Sequence, residues 1–220
     1  ILREAADTTT VTITTEQGED DDWPTTRLLI EESNGWSSVV DYDGYFVSAY
    51  YCETKIGPFI LLTTDIDISN SVTTYILDAG TLAETGSVGG SIESLKDGMI
   101  GISCEVDMLG TYAATHAYII GDSFALHPAG DGLYHIADSD FLVTTRDLPA
   151  QIGKNGQYWD ETLPSGTELR VTATDGKSVV YVETRDNRAG RFAVEIRAIW
   201  ETWIYGAPAE EWFVELPYAG

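Results

Sequence analysis

The chain has 220 residues, with 12 Lys and Arg against 36 Asp and Glu, a formal net charge of −24. That balance excludes a phosphate-backbone ligand, which needs a basic footprint to release counterions, and equally a polybasic grip on anionic lipid. Hydrophobic residues at 43% and aromatics at 11% still supply a packed core, and no apolar run approaches the ~20 residues of a membrane helix.

At the start of the chain, Ile1 to Ala6 carries Arg3 and Glu4, lacks an apolar signal segment and does not begin with Met, so the expectation is a mature or trimmed chain. Residues 7–22 are Thr-rich and end in four acids, Glu19 to Asp22. They read either as a solvated tether behind a removed export signal or lipid anchor, or as a first strand over Val11 to Thr15 with a charged loop after it.

From there the periodicity is that of strands. Residues 44–51, 58–64, 72–78, 98–106 and 115–121 are short, β-branched and aromatic, and Gly, Asp, Asn and Ser separate them at hairpin spacing. Helix signals are confined to Leu2 to Asp7 and the stretch from Ala207 to Trp212. The pattern predicts an all-β chain.

Asp43-Gly44 leading to Cys52-Glu53 resembles Asp97-Gly98 leading to Cys104-Glu105, a repeat of about fifty residues, which is the length of a propeller blade. Two such units cannot close a propeller. The alternatives are propeller-like sheets packed face to face, or a sandwich in which the match is accidental.

Charge shifts near residue 140, from 24 acids against 4 bases before it to 12 against 8 after it. The sequence reading therefore divides the chain into a tether or first strand (1–22), an antiparallel β domain (23–140) and a C-terminal domain (141–220). In the last of these, residues 141–145 predict a strand, and a long loop then runs through Lys154, Tyr158 and Trp159. A turn at Leu163 to Gly166 feeds an alternating strand, and Asp175-Gly176 and Asn187 to Gly190 mark two more hairpins.

The run Leu163, Pro164, Gly166, Thr167, Leu169 and Val171, with the late Gly190, Arg191 and Phe192, resembles a bacterial SH3-like domain over roughly residues 141–197. The chain departs from that family in having Val179 or Val180 where a Trp follows the hairpin, and Phe192 in place of a Trp. Both changes bear on the groove those aromatics help line. The whole chain resembles secreted or lipid-anchored proteins of Gram-positive anaerobes, which implies an extracellular, surface-attached location.

Chemistry-bearing patterns are sparse. No GxSxG elbow is present, and Cys52 and Cys104 lie in strand-like contexts without a CxxC, as one bridge or as two buried thiols. His116, His127 and His135 are dispersed, so no zinc site is expected. The D-x-D loops at Asp41 and Asp65 lack the Gly and Glu of an EF-hand at positions six and twelve, so neither metal nor other cofactor is expected.

The aromatics are the stronger signal. Trp200, Trp203, Tyr205, Trp212 and Phe213 crowd the end of the chain. In a continuous strand Trp203 and Tyr205 share one face and Trp200 takes the other. Trp212 and Phe213 read as packing residues. Tyr158 and Trp159 on the expected long loop, with Trp203 and Tyr205, are the candidate ligand-binding residues, because aromatic platforms stack on sugar rings or peptide backbones.

These readings converge on an all-β protein: an antiparallel N-terminal sheet domain, sandwich or propeller-blade-like, followed by a small SH3-like barrel with an aromatic tail. The expected function is a non-catalytic binding or adaptor module, monomeric, recognising a cell-wall peptide, a glycan or a surface protein. A secreted hydrolase using a carboxylate pair and a purely structural stalk are the alternatives.

Overall fold

A computed structural model of the chain describes residues 9–17, 24–32, 35, 37–66, 72–96, 98–154, 157–198 and 201–217. It is all-β, with several antiparallel sheets and no α-helix among these residues; the helical turns are two short 3₁₀ segments, Asp122–Phe124 and Ala209–Glu211. The second of them falls where the sequence carried its late helix signal. The other helix signal, Leu2 to Asp7, lies outside the described residues, as do Trp200 and the acids Glu19 to Asp22. No described helix is long and apolar enough to cross a membrane.

The chain divides into two compact units, residues 1–100 with 119–127, and residues 101–118 with 128–220. In the first unit β1 (Thr9–Glu16), β2 (Thr25–Glu32) and β3 (Ser37–Asp43) form one sheet. β4 (Tyr45–Thr54), β5 (Gly57–Asp65), β6 (Val72–Asp78) and β7 (Glu84–Gly89) form a consecutive meander, and β8 (Ser91–Lys96) follows. Leu28, Ile30 and Tyr42 from the three-stranded sheet share one core with Ile60, Leu62 and Leu77 from the meander. The corner between β3 and β4 depends on Gly44, at φ +104°, where a Cβ would stand 2.8 Å from the Asp65 carbonyl oxygen. Buried hydroxyls in this unit are satisfied: Thr63 and Thr74 bond each other at 2.9 Å, and Thr26 donates to the Gly44 carbonyl at 2.7 Å.

β9 (Met99–Asp107), β10 (Thr111–Ile120) and β11 (Leu126–Pro128) run across the unit boundaries in sequence. The second unit continues with β12 (Tyr134–Ile136), β13 (Leu142–Val143), β14 (Leu148–Lys154), β15 (Gln157–Leu163), β16 (Glu168–Thr174), β17 (Val179–Thr184) and β18 (Ala189–Ala193). Its main sheet has the order β15-β14-β18-β17-β16-β12-β10-β9. β19 (Glu195–Ala198), β20 (Glu201–Ile204) and β21 (Ala207–Pro208) form a separate three-stranded sheet.

Period-two alternation assigns the two faces of the main sheet. Leu148, Ala150 and Ile152 of β14, Leu169 and Val171 of β16, Val180 and Val182 of β17 and Phe192 of β18 enter one core, joined by Trp212 and Phe213. Each fully buried Leu, Ile, Val or Phe side chain among them contributes about 1.5–3 kcal/mol by leaving water. The alternate residues, Pro149 and Gln151 of β14, Val179 and Tyr181 of β17 and Arg191 of β18, form the outer face.

Three sequence expectations change here. The segment through Lys154, Tyr158 and Trp159 is not a long loop but a hairpin, β14 pairing with β15 from Leu148↔Leu163 to Lys154↔Gln157. The strand pairings of the described residues do not close into a barrel: β15 ends the main sheet with β14 as its one strand partner among them. Trp203 and Tyr205 are not on one continuous strand, because β20 ends at Ile204. Tyr205 and Gly206, at φ +46° and +83°, form a two-residue turn into β21.

Candidate functional site

A groove of 710 Å³ lies on the outer face of the second unit, over β14, β15, β17 and β18, with Tyr205 at its side. The volume is within the range of small-ligand sites, about 300–1,000 Å³. Its floor is set by register. Asp160 of β15 stands opposite Gln151 of β14, and Gln151 stands opposite Arg191 of β18. One row of side chains thus crosses three strands, and the Gln151 amide links its ends. Its Nε2 donates to Asp160 Oδ1 at 3.1 Å, and its Oε1 accepts from Arg191 Nε at 2.9 Å. The next row is less polar, with Thr162 opposite Pro149, and Val179 opposite Ala193.

Tyr205 borders this second row. Its hydroxyl donates to the Pro149 carbonyl at 3.0 Å, and its ring meets the Trp212 ring edge-on at 5.9 Å between centroids. The Pro149 carbonyl is available because the ladder between β14 and β18 begins only at Gln151. Pro149, lacking an N–H, is tolerated there for the same reason. Tyr205 is 54% exposed. Burial of its hydroxyl, and then the nearby Asp160 charge, push its pKa up, so the phenol is neutral at physiological pH.

Tyr158 stands at the other end of the polar row. Its ring lies against Gly153, the residue opposite it in the hairpin, and the Arg191 guanidinium stacks over it 4.7 Å from the ring centroid. Trp159, one residue on, points to the opposite face of β15 and lines no part of the groove. Its indole N–H donates to Glu161 Oε2 at 3.2 Å, and Glu161 Oε1 accepts from Arg188 at 2.7 Å. These bonds, Arg188 first and Trp159 second, hold the Glu161 carboxyl below its ordinary value. Trp203 is half-buried on β20 beneath the Arg197 guanidinium, 3.6 Å from the ring centroid, and its N–H donates to Glu201 at 2.8 Å. Of the four sequence candidates, then, Tyr205 lines the groove, Tyr158 braces its arginine, and Trp159 and Trp203 are held by neighbours elsewhere on the unit.

Gln151, Asp160 and Arg191 carry the polar character of the site and were missed by sequence reasoning. The signal that leads to the first two is Asn155-Gly156, a strong two-residue hairpin dipeptide. Recognising that hairpin puts Gln151 opposite Asp160.

Outside the groove, both cysteines are half-buried free thiols, and burial raises the pKa of each. His135 pairs with Asp131 at 3.0 Å. His116 is buried between Tyr118 and Tyr134, and its Nδ1 has no hydrogen-bond partner among the described residues. Asp41, of the first D-x-D sequence, lies on β3 opposite Arg27 and is engaged by it at 2.8 Å, and Asp67 of the second lies outside the described residues. No cluster of three or more His, Cys, Asp or Glu suited to a metal ion occurs among the described residues.

Comparison of the chain with protein-family models, with curated proteins and with solved structures finds no match.

Proposed function

We propose that this chain is a non-catalytic binding or adaptor module of an exported bacterial protein, acting outside the cell as a monomer on a cell-wall peptide, a glycan or a surface protein. The observation that carries the reading is the groove beside Tyr205. An exposed aromatic ring, held at its hydroxyl by Pro149 and at its edge by Trp212, lines the same groove as a polar row already ordered by Gln151. A rigid aromatic beside oriented polar groups binds with little loss of side-chain entropy. The charge of −24 keeps the module soluble and repels polyanionic wall polymers, which favours short or neutral ligands.

The binding reading is preferred to hydrolysis on the state of one carboxylate. A glycosidase acid needs a raised pKa, whereas Glu161, beside the groove, is ion-paired to Arg188 and its pKa is lowered. On fold, the β16-β17-β18 meander with β14 beside it supports an SH3-like assignment for residues 141–197, and the shared core of the first unit's two sheets supports a sandwich.

The test is tryptophan fluorescence and calorimetry against muropeptides, wall glycans and neutral polysaccharides, with wild type, Tyr205→Ala and Trp159→Ala. Saturable binding lost in Tyr205→Ala and kept in Trp159→Ala is the expected result. Binding that survives Tyr205→Ala, or no binding by any of the ligands, overturns the assignment.

A further inference from the structure

Arg191 differs from the other described arginines. Arg27, Arg146, Arg170, Arg185, Arg188 and Arg197 each form an ion pair with a carboxylate. Arg191 forms none among the described residues, although the chain carries 36 acids. It is held without one: its Nε is used by Gln151 Oε1 at 2.9 Å and its plane by the Tyr158 ring at 4.7 Å. Both contacts fix the guanidinium and leave the edge formed by its two terminal nitrogens without a partner among the described residues. That edge is the fork that matches the two oxygens of a carboxylate.

The nearest acid in the row, Asp160, is kept from it by register. Gln151 stands between them, so their Cα atoms are about two strand spacings, ~10 Å, apart. The same amide bonds both side chains, an arrangement that separates the charges and orients each toward the groove they line.

We propose that the groove binds the carboxyl terminus of a peptide, with the terminal carboxylate on the Arg191 fork. This rests on the binding reading above and names the chemistry of the ligand. Three features select that class. Asp160 lies in the same groove and the protein carries −24, so a monoanion is accepted where a phosphate dianion or a polyanion is repelled. The residues beside Arg191 on the outer face, Val179, Ala193 and Pro149, are apolar and small to medium in size. They fit a terminal residue with a small aliphatic side chain rather than a ring of hydroxyls. Asp160, at the far end of the row, accepts a backbone N–H or an ammonium from further back along the peptide.

The experiment is an NMR and calorimetric titration of the full chain with four probes: acetyl-Ala-Ala-Ala with a free carboxylate, the same peptide as its C-terminal amide, methyl glucuronoside and inorganic phosphate. The free acid is expected to bind at least tenfold more tightly than the amide, as fits loss of a charge-assisted hydrogen bond. Its binding should shift the Arg191 side-chain resonances. Arg191→Gln should abolish the difference between acid and amide, and melting of this variant, changed at an outer-face position, reports whether the fold is kept. The side-chain shifts in wild type serve as a second readout if that variant unfolds.

Equal affinity of acid and amide, both lost in Tyr205→Ala, overturns the carboxylate anchor and leaves the groove reading standing. Tighter binding of glucuronoside or phosphate than of the free-acid peptide overturns the peptide assignment. No binding of any probe overturns the anchor, and the wider panel of wall ligands then decides the groove reading separately.

Discussion

The Tyr158 ring lies over Gly153 so closely that a Cβ at residue 153 would stand 2.7 Å from Tyr158 Cδ1. An aromatic laid across a strand glycine covers backbone that has no side chain of its own, and here it also presents the face on which Arg191 stacks. Gly153 therefore determines where a charged group on the neighbouring strand is held.

The first prediction follows directly. In Gly153→Ala the new methyl also meets the Gln157 carbonyl oxygen at 2.6 Å, and backbone cannot swing aside as a side chain can. The ring must move and the hairpin must open slightly, at a cost of about 1–3 kcal/mol. Urea unfolding measures that loss, and near-UV circular dichroism should report the displaced tyrosine. A variant as stable as wild type with an unchanged aromatic signal would show that the close approach is not maintained in solution.

The second concerns Asp175, which organises the turn between β16 and β17. Its Oδ1 accepts the backbone N–H groups of Lys177, Ser178 and Val179 at 2.9, 2.8 and 2.9 Å, and Oδ2 accepts the Ser178 hydroxyl at 3.0 Å. Burial alone would raise its pKa, but these donors outweigh burial and lower it. A depressed carboxylate stabilises the fold above its unfolded pKa, near 3.9, and that stability is lost as pH falls through the folded value. Asp175→Ala should cost about 1–2 kcal/mol at neutral pH, by analogy with loss of a helix cap. Melting from pH 7 to pH 2 should show wild type and variant converging in acid. A constant gap would mean that the carboxylate charge contributes nothing.

How far the sequence carried the fold is clearest by comparing elements. Residues 72–78 were bounded correctly because Val72, Thr74, Tyr75, Ile76 and Leu77 are β-formers closed off by Asp78 and Gly80. The β14–β15 hairpin was missed because Gly153 and Gly156 read as loop punctuation, while the buried alternation of Leu148, Ala150 and Ile152 was weakened to the eye by Pro149 and Gln151. β7 and β8 were missed because Glu84–Gly89 and Ser91–Lys96 are mostly polar and small, and their strand state comes from ladder partners rather than propensity. For the site, Tyr158 and Tyr205 could be singled out as aromatics among turn signals. Gln151 and Asp160, 9 residues apart, needed the Asn155-Gly156 hairpin to be recognised, and Arg191, 40 residues from Gln151, joins them only through the register of β14 with β18.

The third prediction is a pH response centred on His116. Its ring packs at a tilt against Tyr118 at 4.6 Å and Tyr134 at 4.3 Å between centroids. Burial lowers its pKa; a hydrogen bond with the Leu133 backbone and the Asp131 charge oppose this more weakly, and His135 adds to the lowering. For a histidine with a depressed folded pKa, the unfolded chain takes up the proton first as pH falls. The stability this neutral ring contributes is therefore complete above pH ~6.5 and declines below it. The melting temperature should fall between pH 7 and pH 5, and His116→Phe, which keeps the ring packing and removes the unpartnered Nδ1, should flatten that decline. A wild-type curve flat over this range would remove His116 from the account.

The fourth prediction sets stability against binding at Tyr205. A non-glycine residue at φ +46° followed by Gly206 at φ +83° occupies a turn that Asn-Gly fills with less strain. Tyr205→Asn relieves strain of order 1 kcal/mol. It also removes the hydroxyl bond to Pro149 and the edge contact with Trp212, each worth about 0.5–1.5 kcal/mol. The strain relief offsets part of this loss, so stability should fall by no more than about 2 kcal/mol while ligand affinity is lost. Tyr205→Phe retains the ring and should keep most of the binding. A large fall in stability for Tyr205→Asn would mark the tyrosine as a packing residue of the turn. Lost affinity with stability kept within that limit would place a strained aromatic where the ligand, rather than the fold, requires it.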